Sequence, residues 1–361
     1  MGFNLGIIGL PNVGKSTIFN ALSNAGAEMA KYPFCTIEPN RGVVAIPDER
    51  LVKIGQILKK DNPIPTKIEF IDVAGLVKGA SKGEGLGNKF LSHIRMVDAI
   101  VHVVCLFHSD DVAHVTGDID PVRDVEIIKT ELILSDQEIL EKAEEKQRKL
   151  FRTGVPDAKK KIEIIEKCSS YLNEGNLLKG MDLSGEASAV LKEYGLITTK
   201  PVLYCANIDE EAQDDENIKA LEVYARKEKS GFISITGKLE EEISELPPEE
   251  KQEYLQGMGI GESGLNRLIK ACYRLLDLIT FFTAATELQA WTLKRGTSAL
   301  KAAGKIHTDF ERGFIRAEVF NYEELLKEGS EHHVREKGKL RSEGKDYVVQ
   351  DGDIIRFLFN V

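Results

Sequence analysis

No stretch of the 361 residues approaches the run of about 20 apolar residues that a membrane-spanning helix needs; the longest, such as Ala99–Phe107, stops far short. Cysteine is sparse: Cys35, Cys105, Cys168, Cys205 and Cys272 are scattered with no CxxC pair. That excludes a disulfide framework or a zinc-finger spacing and reads as reduced, buried thiols. The opening MGFNLGIIGL has no basic region and no cleavage site, so no secretory leader is expected and a cytoplasmic location is. Positive charge is also short. The net charge is −10, so the surface as a whole will not hold nucleic acid, and any RNA contact must come from a local basic patch. No membrane or DNA partner is expected. There is no internal repeat and no low-complexity tract.

What is there is an α/β rhythm. Asn4–Gly9 reads as a strand, Lys15–Leu22 as a helix, and Gly42–Ile46, Lys67–Asp72, Asp98–Phe107, Pro201–Asn207 and Gly231–Thr236 as further strands. Strands separated by helices predict a parallel-dominated sheet covered on both faces. From about Asp118 to Lys200 the rhythm breaks. Ile128, Leu132, Ile139, Ala143 and Leu150 are spaced 4, 7, 4 and 7 apart, one stripe of a helix, and Gly154-Val-Pro156 turns the chain toward a returning helix through Ile162, Ile165 and Leu172. This segment is expected to be a helical hairpin, 118–200, inserted in a nucleotide domain of residues 1–277. Glu262–Ile279 reads as the last helix of that domain. Residues 278–361 form a small α+β module, with strands at Glu287–Leu293, Phe314–Val319, Asp346–Val349 and Ile354–Phe359 and a helix at Thr297–Ala303.

The chemistry starts at Gly9-Leu-Pro-Asn-Val-Gly14-Lys15-Ser16, which fits G-x-x-x-x-G-K-[ST] between a strand and a helix. Backbone N–H groups of such a loop and the helix N-terminus cradle phosphates, Lys15 reaches the β- and γ-phosphates, and Ser16 ligates Mg²⁺. Asn12, Val13, Gly14, Lys15, Ser16 and Thr17 are therefore the expected phosphate-binding set. Asp72-Val-Ala-Gly75 ends an apolar strand 57 residues after Lys15. Its carboxylate would hold Mg²⁺ through water and the Gly75 N–H would bond the γ-phosphate. Thr36 is either a second hydroxyl ligand of the metal or a plain turn threonine. Gly75–Gly87 carries five glycines in thirteen residues, the composition of a switch ordered by ligand or of a surface loop.

Asn12, the Tyr-Pro-Phe-x-Thr36 segment and Asp72-Val-Ala-Gly-Leu-Val-Lys-Gly-Ala-Ser together resemble the Obg-like branch of the P-loop proteins. The charged helical insertion, and a C-terminal segment similar to the ubiquitin-like TGS domain, narrow the resemblance to the Obg-like ATPases, the YchF family, over essentially the whole chain. The resemblance implies an ATP-binding, slowly hydrolysing switch that associates with the ribosome or its large subunit and RNA; a monomer is expected. Alternatives are a GTP-specific translation-associated GTPase and an RNA-binding adaptor with a structural nucleotide.

A guanine-specific relative carries N-K-x-D where this chain has Asn207-Ile208-Asp209-Glu210. Glu is still a carboxylate, so the change alone does not exclude guanine, and Glu210 also fits an ordinary helix-start acid. The resemblance implies adenine, bonded by the Asn207 amide and the Ile208 backbone. Leu76 stands where relatives carry the water-orienting Gln, so turnover on the order of 10⁻⁴ to 10⁻² s⁻¹ is expected. His114, in a polar loop past the strand Asp98–Phe107, is the catalytic candidate to orient water; the other reading is a solvated loop histidine. Asn12 resembles a K⁺ ligand of related proteins, or it tightens the loop. The adjacent His332 and His333 read as surface residues. Trp291 reads as core, and Arg335, Lys337, Lys339, Arg341 and Lys345 as a patch able to hold RNA phosphates.

Overall fold

The computed structural model describes residues 2–27, 40–73, 86–108, 118–210 and 215–360. In chain order its elements are β1 (Phe3–Ile8), α1 (Lys15–Ala27), β2 (Arg41–Ala45), α2 (Glu49–Leu58), β3 (Lys67–Asp72), α3 (Leu86–Met96), β4 (Ala99–Leu106), α4 (Pro121–Arg152), α5 (Ala158–Asn173), α6 (Gly185–Lys192), β5 (Val202–Ile208), α7 (Glu216–Lys227) and β6 (Gly231–Ile235). There follow α8 (Gly237–Glu245), α9 (Pro248–Gly257), α10 (Gly264–Leu275), β7 (Leu278–Thr283), β8 (Gln289–Lys294), α11 (Ala299–Ile306), α12 (Thr308–Arg312), β9 (Phe314–Asn321), α13 (Tyr322–Glu328), α14 (Glu331–Glu336), β10 (Arg341–Glu343) and β11 (Asp353–Phe359). Two compact units result: Met1–Val44 with Glu69–Cys272, and Ala45–Ile68 with Tyr273–Val361.

The first unit is built on a sheet of order β2-β3-β1-β4-β5-β6, parallel from β1 through β4 and β5 to β6. Every residue of β4 and β5 is buried, because helices cover both faces, and this is why both read as unbroken apolar runs rather than alternating ones. The insertion is a hairpin at its core. Asp120 caps α4 by accepting the Arg123 N–H, Pro121 sits in the first turn, and Gly154 at φ +77° helps turn the chain toward α5. Leu140, Ala143, Ile165, Cys168 and Leu172 form the seam. Of the expected stripe, Ile128, Leu132 and Ala143 are buried. The insertion adds α6, which the apolar spacing did not announce.

The second unit is a five-stranded sheet of order β10-β9-β11-β7-β8, with the first and last strands, β7 and β11, parallel neighbours and the remaining pairs antiparallel. The ubiquitin-like α+β reading holds. One face packs Phe281, Val319, Ile355 and Phe357 against Ala299, Ala302 and Ala303 of α11. The other packs Phe282, Leu288, Ala290, Phe320 and Ile354 against Leu51 and Ile54 of α2. Trp291 is half-buried at the first of these cores and donates its indole N–H to Thr283.

Three expectations are corrected. The last helix of the nucleotide domain, read as Glu262–Ile279, stops at Leu275, and Leu278 already begins β7. Asp346–Val349 makes no strand, only a single bridge from Val348 to Ser298. Residues 45–68, read as part of the nucleotide domain, pack with the C-terminal unit. Arg50 ties them there, pairing with Asp48 at 2.7 Å and Asp351 at 2.8 Å, while Ile64 bridges to Gln289 and the Thr66 and Thr292 hydroxyls meet at 2.5 Å.

Candidate functional site

At the carboxyl ends of β1, β5 and β6 the chain turns, the place where open α/β sheets hold ligands. The first turn is the Gly-rich loop. Asn12 has φ +66° and Gly14 φ +80°, left-handed values that wind the loop back on itself. A Cβ on Gly9 would lie 2.7 Å from the Val103 carbonyl oxygen, and one on Gly14 would collide with Nδ2 of Asn207. Both positions therefore need glycine. The Lys15 ammonium at the start of α1 forms an ion pair with the Asp72 carboxylate at the end of β3, both side chains mostly buried.

Asn207, at the end of β5 and 5% exposed, brackets two of these turns. Its Nδ2 donates to the Val13 carbonyl at 3.1 Å, and its Oδ1 accepts the Gly237 N–H at 2.9 Å. The sequence reading gave this amide to an adenine edge. In the fold, one amide hydrogen and one oxygen lone pair are instead committed to holding the phosphate loop against the start of α8. Glu210 is exposed and lies outside the first turn of α7, which begins at Glu216 behind its cap Asp215. That removes the helix-start reading.

These turns enclose a cleft of about 1010 Å³ in the first unit. Asn12, Gly14, Lys15, Ser16, Thr17, Asn207, Ile208 and Glu210 all line it. The Val13 side chain is buried and contributes its carbonyl to Asn207. Asp72 reaches the site through Lys15. Thr36, Gly75 and His114 lie outside the described residues, as do Leu76 and Cys35. Sequence reasoning missed Phe107, His108, Asp209, Thr236, Lys238 and Glu241, which also line the cleft. The signal for some of them was present, since Thr236-Gly237-Lys238 directly follows a strand of the same sheet. Asp209 Oδ2 accepts the His108 N–H at 2.9 Å, joining the ends of β4 and β5.

The donor chemistry fits Mg²⁺. A serine hydroxyl and a carboxylate are hard oxygen ligands, and they flank the Lys15 ammonium. Cys105, Cys168, Cys205 and Cys272 are buried free thiols, with burial pushing Cys168 up to about 11 and Cys205 up to about 12. His332, His333 and Glu336 stand together but fully on the surface of α14. Among the described residues, no helix is long and apolar enough to cross a membrane.

Comparison with known proteins agrees over the full length. A family model described as "50S ribosome-binding GTPase" matches residues 4–151, and the YchF C-terminal model, described as a protein of unknown function (DUF933), matches residues 278–360. The chain is 48% identical to the ribosome-binding ATPase YchF of Escherichia coli O157:H7 and 50% identical to that of Bacillus subtilis (strain 168), covering 100% of both chains in each case. It superposes on the structure of the Schizosaccharomyces pombe YchF GTPase with a TM-score of 0.89 at 36% identity, over 99% of this chain and 98% of that one. With its phosphate loop, its helical insertion and its C-terminal module all matched, the chain belongs to the YchF family of P-loop proteins.

Proposed function

We propose that the chain is a Mg²⁺-dependent P-loop nucleoside triphosphatase that prefers ATP, hydrolyses it slowly as a conformational switch, and acts on the ribosome. One observation carries the reading: a lysine ammonium and an aspartate carboxylate meet at the mouth of a Gly-rich strand-to-helix loop whose glycines tolerate no side chain. Backbone N–H groups of Asn12 to Thr17 would hold the phosphates, and Lys15 would leave Asp72 for the β- and γ-oxygens. Ser16 and Thr36 would ligate Mg²⁺ directly and Asp72 through water. The ion supplies charge neutralisation at the transferred phosphoryl group. Gly75 would sense the γ-phosphate, and His114 would orient the attacking water by accepting its hydrogen bond. The Asn12 amide oxygen would hold K⁺ beside the phosphates, where an arginine finger acts in other nucleotidases.

Adenine preference rests on Ile208 and Glu210 at the end of β5, together with the names of the close relatives. With Asn207 already bracketing the loop, its second amide hydrogen, its second oxygen lone pair and the Ile208 backbone remain for the base. Ribosome association is supported by those relatives' names and by Arg335, Lys337, Lys339, Arg341 and Lys345, all exposed on the second unit.

ATP and GTP affinities measured side by side in Mg²⁺ buffer test the base. Tighter GTP binding overturns the preference and restores the GTPase reading. Lys15→Ala is expected to abolish tight triphosphate binding; retained binding overturns the phosphate-loop assignment. His114→Ala should slow turnover with ATP affinity within a few-fold, and unchanged turnover removes that residue from the reaction. Co-sedimentation with ribosomes in the ATP-analogue, ADP and nucleotide-free states tests the switch, which equal binding in all three would overturn.

A further inference from the structure

Beside the nucleotide cleft the first unit holds a second cavity of about 620 Å³. The two are adjoining rooms: Ile208, Glu210 and Thr236 line both. Beyond that shared wall the second cavity is bounded by Leu239, Met258 and Ile260 on its apolar side and by Glu240, Glu262 and Arg267 on its polar side.

The buried acid on the polar side is already engaged. Glu240 is 4% exposed and accepts the Gly264 N–H at 2.6 Å and the Leu265 N–H at 3.2 Å, capping α10 from a neighbouring helix. Arg267 donates to the Ser234 carbonyl at 3.2 Å. The Glu240 carboxylate is set so close to Gly264 that a Cβ there would lie 2.7 Å from Oε1, so this floor cannot be refilled by a side chain. An acid that already satisfies two backbone donors offers little to an incoming polar ligand. With that acid committed, Leu239, Met258 and Ile260 offer a guest an apolar wall, and the volume falls within the range of small-molecule sites.

We infer that this cavity is a subsite for an apolar group carried on the exocyclic amine of an adenine nucleotide, so that N6-alkyl and N6-aryl adenine nucleotides are ligands of the chain. The inference rests on the adenine reading above. A base whose edge is read at Ile208 and Glu210 turns its exocyclic nitrogen toward the wall that those two residues share with the second cavity. Glu210 is exposed, and a singly substituted exocyclic nitrogen keeps one N–H to offer it, while Met258, 42% exposed, forms part of the far rim.

Competition of ATP and N6-benzyl-ATP against a fluorescent nucleotide, in Mg²⁺ buffer with the full chain, tests this. N6-benzyl-ATP is expected to bind within about threefold of ATP, and Ile260→Trp, which fills the cavity, to weaken it about tenfold or more with ATP unchanged. Met258→Trp is a second filling variant, and unchanged ATP affinity certifies the fold of each. Rejection of N6-benzyl-ATP by about tenfold or more in the native chain overturns the subsite, as does native-like N6-benzyl-ATP binding by both variants. Failure of ATP itself to bind is a separate result, seen without any substituent. It sinks the adenine reading and takes the subsite with it.

Discussion

Asn207 holds two turns together with one side chain, so its loss strands two buried backbone groups at once. Asn207→Ala leaves the Val13 carbonyl and the Gly237 N–H without their partner, at a cost of about 2–4 kcal/mol in all. Asn207→Asp keeps an acceptor for Gly237 but sets a carboxylate against the Val13 oxygen, so it should recover little. Urea unfolding together with an ATP titration checks this: both variants should show a lower midpoint and weaker binding, and a native midpoint would show that the bracket is not needed. The sequence pointed to Asn207 but not to this job, because a motif names a residue type without its direction. The phosphate loop was legible for the opposite reason: its glycines and lysine are dictated by backbone geometry, which is local. His102 was silent in sequence. It is buried in β4 against Tyr204, and burial lowers its pKa to about 3. Between that value and the ordinary 6.5 the unfolded chain binds a proton that the folded chain refuses. Stability should therefore fall on acidification through this window, by at most about 1.4 kcal/mol per pH unit for the one proton. His102→Gln, which cannot take up that proton, should flatten the slope of unfolding free energy against pH below 6.5, and an unaltered slope would assign the acid sensitivity elsewhere.

At the scale of elements, the insertion is fastened by a buried acid. Asp136 of α4 is fully buried and accepts the Ile197 N–H at 3.1 Å, the Thr198 N–H at 2.7 Å and the Thr198 hydroxyl at 2.7 Å, while Arg95 of α3 pairs with it at 3.0 Å. Asp136→Ala removes every one of these and strands the buried Ile197 and Thr198 N–H groups, while Arg95 keeps the Ser135 hydroxyl at 2.6 Å and the Gly195 carbonyl at 2.9 Å. The expected cost is about 3–5 kcal/mol. Hydrogen exchange should speed up first in α4 and in the turn at Ile197–Thr199, ahead of β4 and β5. Uniform loss of protection would mean that the insertion and the sheet unfold together. The hairpin itself was readable from apolar spacing and a Gly-Val-Pro turn. Its anchor was not, because the partners of Asp136 come from a turn some 60 residues away in sequence. Similarly, Glu262–Ile279 was read as one helix because apolar residues run on past Leu275, and only pairing with β8 makes Leu278 a strand.

At the scale of the whole molecule, the two units divide not only near residue 273 but also at 44/45 and 68/69, where no composition change announces a boundary. Asp48 caps α2, and Leu51, Ile54 and Leu58 repeat at helical spacing, so the helix itself could have been found. What could not be found is its destination, since an amphipathic stripe does not say which core it covers. Here it covers the second face of the C-terminal sheet, where Phe282, Leu288, Ala290, Phe320 and Ile354 would otherwise meet water. A unit cut at residue 278 by sequence alone would therefore lack one wall of its core. Expressed as 278–361, it should bind a hydrophobic dye and aggregate, whereas joining 45–68 to it through a flexible linker should restore a soluble, cooperatively unfolding unit. Within the full chain, Leu51→Ala and Ile54→Ala should each cost about 2–5 kcal/mol, the ordinary penalty for emptying a packed site. The loss should fall on the C-terminal unit: pulse proteolysis of the double variant should cut between 273 and 361 before it touches the sheet holding the phosphate loop. If the first cuts fell in the phosphate-loop unit, or if 278–361 folded alone, α2 would be ornament to the second unit rather than part of its core.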